Sequence, residues 1–146
     1  SSTLIILRSN LKHVVDVEVD LSENLPDINC QPGKLNQVFM NIITNAAHAT
    51  TDTDLKRSER SVKVSTRVVT TDNADVIQVE ISDNGVGMSK ETQAQIFIPF
   101  FTTKEVGKGT GLGLSIVQGI LEDHDAKVEI SSTMGEGTIF ILSFPT

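Results

Sequence analysis

Apolar residues change their period several times along this chain, and each change marks an element. Leu4, Leu7 and Leu11 recur at helical spacing within Ser1–Leu11. Val15, Val17 and Val19 then alternate with Asp16, Glu18 and Asp20, the pattern of a half-buried strand. Asn24–Gly33 holds two prolines and a glycine and predicts a loop. Lys34–Thr50 predicts a long amphipathic helix, and polar Thr51–Arg60 a mobile connection. Val62–Thr70 and Val76–Ser82 alternate as strands; with Asp72 and Asn73 between them they predict an antiparallel hairpin. Ser89–Ile96 predicts a short helix stopped by Pro99, and Thr110–Asp123 another main helix. Ala126–Ser131 and Thr138–Phe144 are strand-like and meet at a turn around Gly135 and Gly137. About five strands and four helices, joined by hairpins rather than strict βαβ repetition, predict an α+β two-layer sandwich. There is no internal repeat and no domain boundary, so residues 1–146 are expected to form one domain.

The helix at Lys34–Thr50 carries two stripes. At 100° per residue, Leu35, Val38, Phe39, Ile42, Ala46 and Ala49 share an arc of roughly 100°, the expected core face. Asn41, Asn45 and His48 follow i, i+4, i+7 spacing on an adjacent arc, with Lys34 and Gln37 extending the line backwards. Asparagine is a poor interior helix residue, because its amide competes for backbone hydrogen bonds. An asparagine carbonyl oxygen is a hard, neutral ligand suited to Mg²⁺, and His48 could donate to a phosphate oxygen. Taken alone, the stripe fits a solvated polar face equally well.

Two glycine-containing segments sharpen the picture. Asp83-Asn-Gly-Val-Gly-Met88 follows an alternating strand. A carboxylate fixed at a strand end can accept from an exocyclic amino group such as that of adenine, and Gly85 and Gly87 would let a ring lie close to backbone. Asn-Gly is also a strong turn signal, and alone the turn is the better reading. Gly107-Lys-Gly-Thr-Gly-Leu-Gly-Leu-Ser-Ile-Val117 places four glycines at alternate positions and then enters a helix-compatible apolar run. Backbone N–H groups of such a loop, with the free N–H groups and positive end of a helix behind it, suit a polyphosphate. Neither a Walker loop nor a dinucleotide fingerprint fits: Lys108 is followed by Gly109, and the final glycine position of the fingerprint is Leu114.

Composition narrows the partners. The formal net charge of −7 argues against nucleic acid or anionic lipid as the main partner. Cys30 is the only cysteine, so no internal disulfide can form and a reducing compartment fits. No apolar run approaches the roughly 20 residues that span a bilayer. The chain starts at Ser1 rather than Met, as expected of a fragment of something longer.

The order of these segments resembles the ATP-binding catalytic domain of sensor histidine kinases, in the Bergerat-fold superfamily shared with gyrase B, MutL and Hsp90. The resemblance runs from about Leu4 to Phe144. Gln37–Ala46 is similar to the family's N box, Asp83–Gly87 to its first glycine box, Ile96–Lys104 to its F box and Gly107–Leu114 to its second glycine box. The string Pro99-Phe-Phe-Thr-Thr-Lys104 looks most like the subfamily of nitrogen-regulatory sensors. The resemblance implies a mixed, mostly antiparallel sheet covered on one face by about three helices. It implies ATP and Mg²⁺ as ligands, with Asn45 on the metal, Asp83 on the adenine amino group and Gly87 against the ring. It implies a lid from Phe100 to about Gly111, with Phe97, Phe100 and Phe101 as anchors, Thr102 and Thr103 within it, and Lys104 and Lys108 as its cations. Gly109, Thr110, Gly111 and Gly113 would face the phosphates, and Gly85, Asn41 and His48 complete the nucleotide contacts. Leu112 and Leu114 stand between nucleotide and core, with core the better assignment. Asn41 and Lys104 are the catalytic candidates.

Three departures qualify the resemblance. Hydrolytic members carry a glutamate base where Asn41 stands; an amide cannot abstract a proton from water, so transfer to a protein acceptor is favoured. Ala49 replaces a common aromatic beside the base. His124-Asp125-Ala126 replaces a frequent His-Gly-Gly and weakens a turn. The implied reaction is γ-phosphoryl transfer to a histidine, with positioning and charge neutralisation as the protein's task. His13, His48 and His124 lack the helical context of an acceptor, so the acceptor is expected on a separate dimerisation and phosphoacceptor helical domain, through which a response regulator is served. The isolated domain is expected to be monomeric and cytoplasmic, from a parent that membrane anchoring would suit. A protein serine kinase of the same fold, or a non-catalytic ATP-dependent regulatory module, are the alternatives.

Overall fold

Alternation along residues 74–83 builds the centre of the sheet. Strand β3 (Ala74–Asp83) buries Ile77, Val79 and Ile81, while Gln78, Glu80 and Ser82 point to the opposite face. The computed structural model describes residues 16–20, 32–51, 56, 59–71, 74–96 and 113–145. β3 lies between β2 (Ser61–Thr71) and β5 (Gly137–Pro145), antiparallel to both. β4 (Lys127–Thr133) pairs antiparallel with β5, and β1 (Asp16–Asp20) pairs parallel with β2. The order β1-β2-β3-β5-β4 is the mixed, mostly antiparallel sheet implied by the resemblance, within the α+β architecture expected from the pattern. The antiparallel hairpin of β2 and β3 is present, and its strands run further than their apolar alternation.

Among the described residues two long helices cover one face, where about three helices were expected. α1 (Pro32–Thr51) opens two residues before its apolar pattern, inside the expected loop. Proline suits a first helical position, where its missing N–H would have no partner. Leu35, Val38, Ile42 and Ala46 are buried as expected, but so are Ile43, Ala47 and Thr50. The stripe is wider than predicted because α1 packs against α3 (Gly113–Asp123) as well as against β2, β3 and β5. The Thr50 hydroxyl donates to the Ala47 carbonyl at 2.6 Å, so its burial leaves no unpaired polar group. Phe39 is only half-buried and meets Phe144 edge to face, with ring centroids 6.3 Å apart. α3 adds Val117, Ile120 and Leu121 to the core, and β5 adds Phe140, Leu142 and Phe144. Each such side chain contributes about 1.5–3 kcal/mol through burial. The expected helix at Ser89–Ile96 shortens to one turn, α2 (Lys90–Gln93), capped by the Ser89 hydroxyl on the Thr92 N–H. Among the described residues no helix is long and apolar enough to cross a membrane. The expected helix within Ser1–Leu11 lies outside the described residues.

α3 ends where the sequence departs from glycine. The Ala126 N–H bonds the Leu121 carbonyl and the Asp125 N–H bonds the Glu122 carbonyl, a Schellman closure with Asp125 at φ 54. Aspartate tolerates the left-handed region better than most residues, yet its Cβ still carries a cost there. Asp125→Gly should therefore raise stability by about 0.5–1 kcal/mol, the relieved strain outweighing the added freedom of the unfolded chain. Urea unfolding of the two chains measures the difference.

Candidate nucleotide site

A polar row replaces the apolar rows at one end of the buried sheet face. Asp83 continues the series Ile77, Val79, Ile81 to the end of β3. Across the strands it lies opposite Val62 on one side and Thr138 on the other, and Thr138 lies opposite Ser132. Thr138 is buried, and its hydroxyl is 2.7 Å from that of Ser132.

Asp83 itself is half-buried. Its Oδ1 accepts the Gly85 N–H at 2.8 Å, and the carboxylate also accepts the Thr138 backbone N–H. Burial pushes its pKa from 3.8 up to about 6, against the opposite pull of those two N–H groups. A carboxylate offers about four lone-pair positions. Two backbone donors leave room for a further donor arriving from outside.

The loop after Asp83 is tied down on three sides. Asn84 Oδ1 accepts the Ser61 N–H at 2.9 Å and its Nδ2 donates to the Glu59 carbonyl at 2.8 Å, locking the loop to the start of β2. The Val86 N–H donates to the Ala49 carbonyl at 3.1 Å, satisfying one of the last carbonyls of α1. The Gly135 N–H donates to the Val86 carbonyl at 2.8 Å, and the Met88 N–H to Ser132 Oγ at 2.8 Å.

Glycine is demanded at two loop positions by the protein's own backbone. A Cβ on Gly85 would stand 2.6 Å from the Ala49 carbonyl carbon. Gly87 has φ 73, and a Cβ there would collide with the Thr133 carbonyl oxygen. The close approach that the sequence pattern assigns to a ligand ring is thus made, on the Cβ side, by α1 and the β4–β5 hairpin. Ala49, which the resemblance places where an aromatic is common, lies against Gly85.

That contact locates the α1 stripe. Asn41, Asn45 and Ala49 stand at i, i+4 and i+8, each step about 6 Å along the axis. With Ala49 on Gly85, His48 and Asn45 belong to the helix turn beside the Asp83 loop. Asn41, Asn45 and His48 are half-buried, whereas Lys34 and Gln37 at the far end of the line are exposed. Gly113 opens α3, and Leu114 packs against the core. Phe101, Thr102, Thr103, Lys104, Lys108, Gly109, Thr110, Gly111 and Leu112 lie outside the described residues. Thr138 and Ser132 carried no motif in the sequence, because their place in the site depends on strands that meet only in the folded sheet.

Residues 30–146 match the family model described as histidine kinase-, DNA gyrase B- and HSP90-like ATPase. Sporulation kinase E of Bacillus subtilis is 32% identical over 142 residues, which cover 97% of this chain and 18% of that protein. The signal transduction histidine-protein kinase AtoS of Escherichia coli is 34% identical over 145 residues, 98% of this chain and 22% of that protein. The chain thus spans about a fifth of the length of these relatives. The catalytic domain of histidine kinase ThkA, solved without nucleotide, superposes with a TM-score of 0.78 at 27% identity, covering 99% of this chain and 88% of that one.

The raised Asp83 pKa makes stability depend on pH in a particular direction. Between its ordinary 3.8 and about 6 the folded state holds the proton more tightly than the unfolded chain. This group's contribution is therefore present at low pH and lost as pH rises through about 6. Relative to Asp83→Asn, the parent chain should lose about 2 kcal/mol of stability between pH ~4.5 and pH ~7.5. Urea unfolding of both proteins at the two pH values reads this directly; parallel pH profiles would contradict it.

Proposed function

The chain belongs to the histidine kinase-, DNA gyrase B- and HSP90-like ATPase family, and on that premise we propose that it is the ATP-binding catalytic domain of a sensor kinase. In this reading residues 1–146 form one domain that binds Mg·ATP. It donates the γ-phosphoryl group to a histidine on a separate dimerisation and phosphoacceptor helical domain, from which a response regulator is served. The observation that carries the reading is Asp83: a desolvated carboxylate, fixed by two backbone N–H groups, with acceptor capacity left, beside the half-buried polar stripe of α1. The Pro99–Lys104 string supports the finer assignment to the nitrogen-regulatory type of sensor. The lone cysteine and the need for ATP support a cytoplasmic site of action.

The donor set suits the ligands proposed. Among the described residues no three His, Cys, Asp or Glu gather as they would for a dedicated metal cage. Mg²⁺ needs no such cage, because it keeps waters and takes substrate phosphates as ligands, with one or two protein oxygens. The Asn45 side-chain oxygen would supply one, with Asn41 and His48 on the same helix face toward the phosphates. When bound, Mg²⁺ neutralises phosphate charge. Asp83 would accept the adenine amino group, which selects adenine over guanine, where a carbonyl takes that place. Asn41 cannot serve as a base toward water, so the site orients the phosphoryl group for a protein acceptor rather than for hydrolysis. Lys104, Lys108 and the glycines at 109, 111 and 113 would complete the phosphate contacts from the lid and the start of α3, with Thr102, Thr103 and Thr110 beside them.

Two substitutions test the assignments. Asn45→Ala should remove most Mg²⁺-dependent ATP affinity while leaving the fold intact, since alanine is the better helix former; calorimetry with unchanged Mg·ATP binding would disprove the metal role. Asp83→Asn should weaken ATP by roughly tenfold to a hundredfold and blunt the preference over GTP, as expected when a buried polar contact worth about 1–3 kcal/mol is lost. Transfer itself is tested by adding the phosphoacceptor hairpin of the parent protein and labelled ATP: acid-labile label on the hairpin is expected, and acid-stable label would point to a serine acceptor.

A further inference from the structure

α2 is a single turn with no buried residue, so core burial does not account for it. Its last residue has another task. The Gln93 amide donates from Nε2 to the Met88 carbonyl at 3.1 Å and to the Ser132 carbonyl at 3.3 Å. Between those two carbonyls runs the Met88 N–H bond to Ser132 Oγ. Gln93 therefore staples the end of the Asp83 loop to the end of β4. Both amide protons are engaged on protein carbonyls, which leaves none for a bound ligand.

The staple leads to Asp83 by two routes. Through β4, Ser132 Oγ sits 2.7 Å from Thr138 Oγ1 and 3.1 Å from the Gly137 carbonyl. Thr138 supplies one of the two N–H groups on the Asp83 carboxylate, and Gly137 has no side chain where the Asp83 carbonyl packs. Through the loop, Met88 ends the five-residue segment whose Gly85 supplies the other N–H. Both donors that aim the carboxylate are thus mounted on segments that Gln93 joins.

We propose that Gln93 is a positioning residue for Asp83: by clamping the Asp83 loop to the β4–β5 hairpin, it fixes the carboxylate that selects the base of a bound nucleotide. The role rests on the nucleotide-binding reading above. Gln93 does not touch the base; it sets how firmly the two donors hold the acceptor.

The test is calorimetric titration of the folded chain with Mg·ATP and Mg·GTP, for the parent, Gln93→Ala, Gln93→Glu, Gln93→Lys and Ser132→Ala, with circular dichroism to establish that each is folded. Gln93→Ala should weaken ATP about fivefold, the equivalent of one lost hydrogen bond, and leave GTP unchanged. Gln93→Glu should do the same, since a carboxylate cannot donate to either carbonyl. Gln93→Lys should restore the ATP preference, because an ammonium donates to both. Ser132→Ala should reproduce the alanine result. A general loss of stability would not change base selectivity well below the unfolding temperature. An unchanged ATP-to-GTP ratio in Gln93→Ala, or no recovery in Gln93→Lys, overturns the proposal alone. A parent chain that binds neither nucleotide overturns the nucleotide reading and the proposal with it.

Discussion

Asp83 stands where the buried face of the sheet runs out. Three apolar residues precede it on the same side of β3, so its carboxylate inherits their desolvation without being fully enclosed. A charge in that position is costly unless it is met by hydrogen bonds. Two backbone N–H groups meet it, one from the adjoining loop and one from β5. They do not saturate it, and the balance leaves an acceptor that is aimed, partly dry and able to take one more donor.

Much of the surrounding architecture holds that balance in place. The loop from Asn84 to Met88 is fastened to β2 through the Asn84 amide, to α1 through Ala49 and to the β4–β5 hairpin through Gly135 and Ser132. At Gly85, Gly87 and Gly137 the backbones approach too closely for any side chain. Ala49 lies against Gly85, so the glycine there has no room for a side chain.

The chemistry proposed for the site follows from what its helix lacks as much as from what it carries. In the proposed reading, Asn41 stands where hydrolytic members of the family carry a glutamate base, and an amide can orient but not deprotonate. Such a site would leave a bound triphosphate intact until a nucleophile of the right geometry is brought to it. In a family whose relatives are several times longer than this chain, that nucleophile is expected from another domain.

Periodicity and turn signals located most elements: the main stripe of α1, the alternation of β3 and β5, and the hairpin of β2 and β3 follow from which side chains share a face. The candidates Asn45, Asp83, Gly85 and Gly87 came from the order of their motifs and the family that order resembles, because spacing alone fits a solvated helix face and a turn as well. Other features needed the folded chain. The parallel seating of β1 on β2 depends on a crossover that no local pattern records. The extra buried edge of α1 at Ile43 and Ala47 exists because α3 packs beside it. The turn after α3 was implied by the resemblance, but that Asp125 itself takes the left-handed conformation in place of glycine is shown only by the closure of α3. Gln93 and Ser132 are polar residues without a motif, 39 positions apart, and their joint hold on the Asp83 loop comes from strand register. Local chemistry follows from sequence spacing, whereas a hydrogen-bond relay across three segments has no address until tertiary packing brings the segments together.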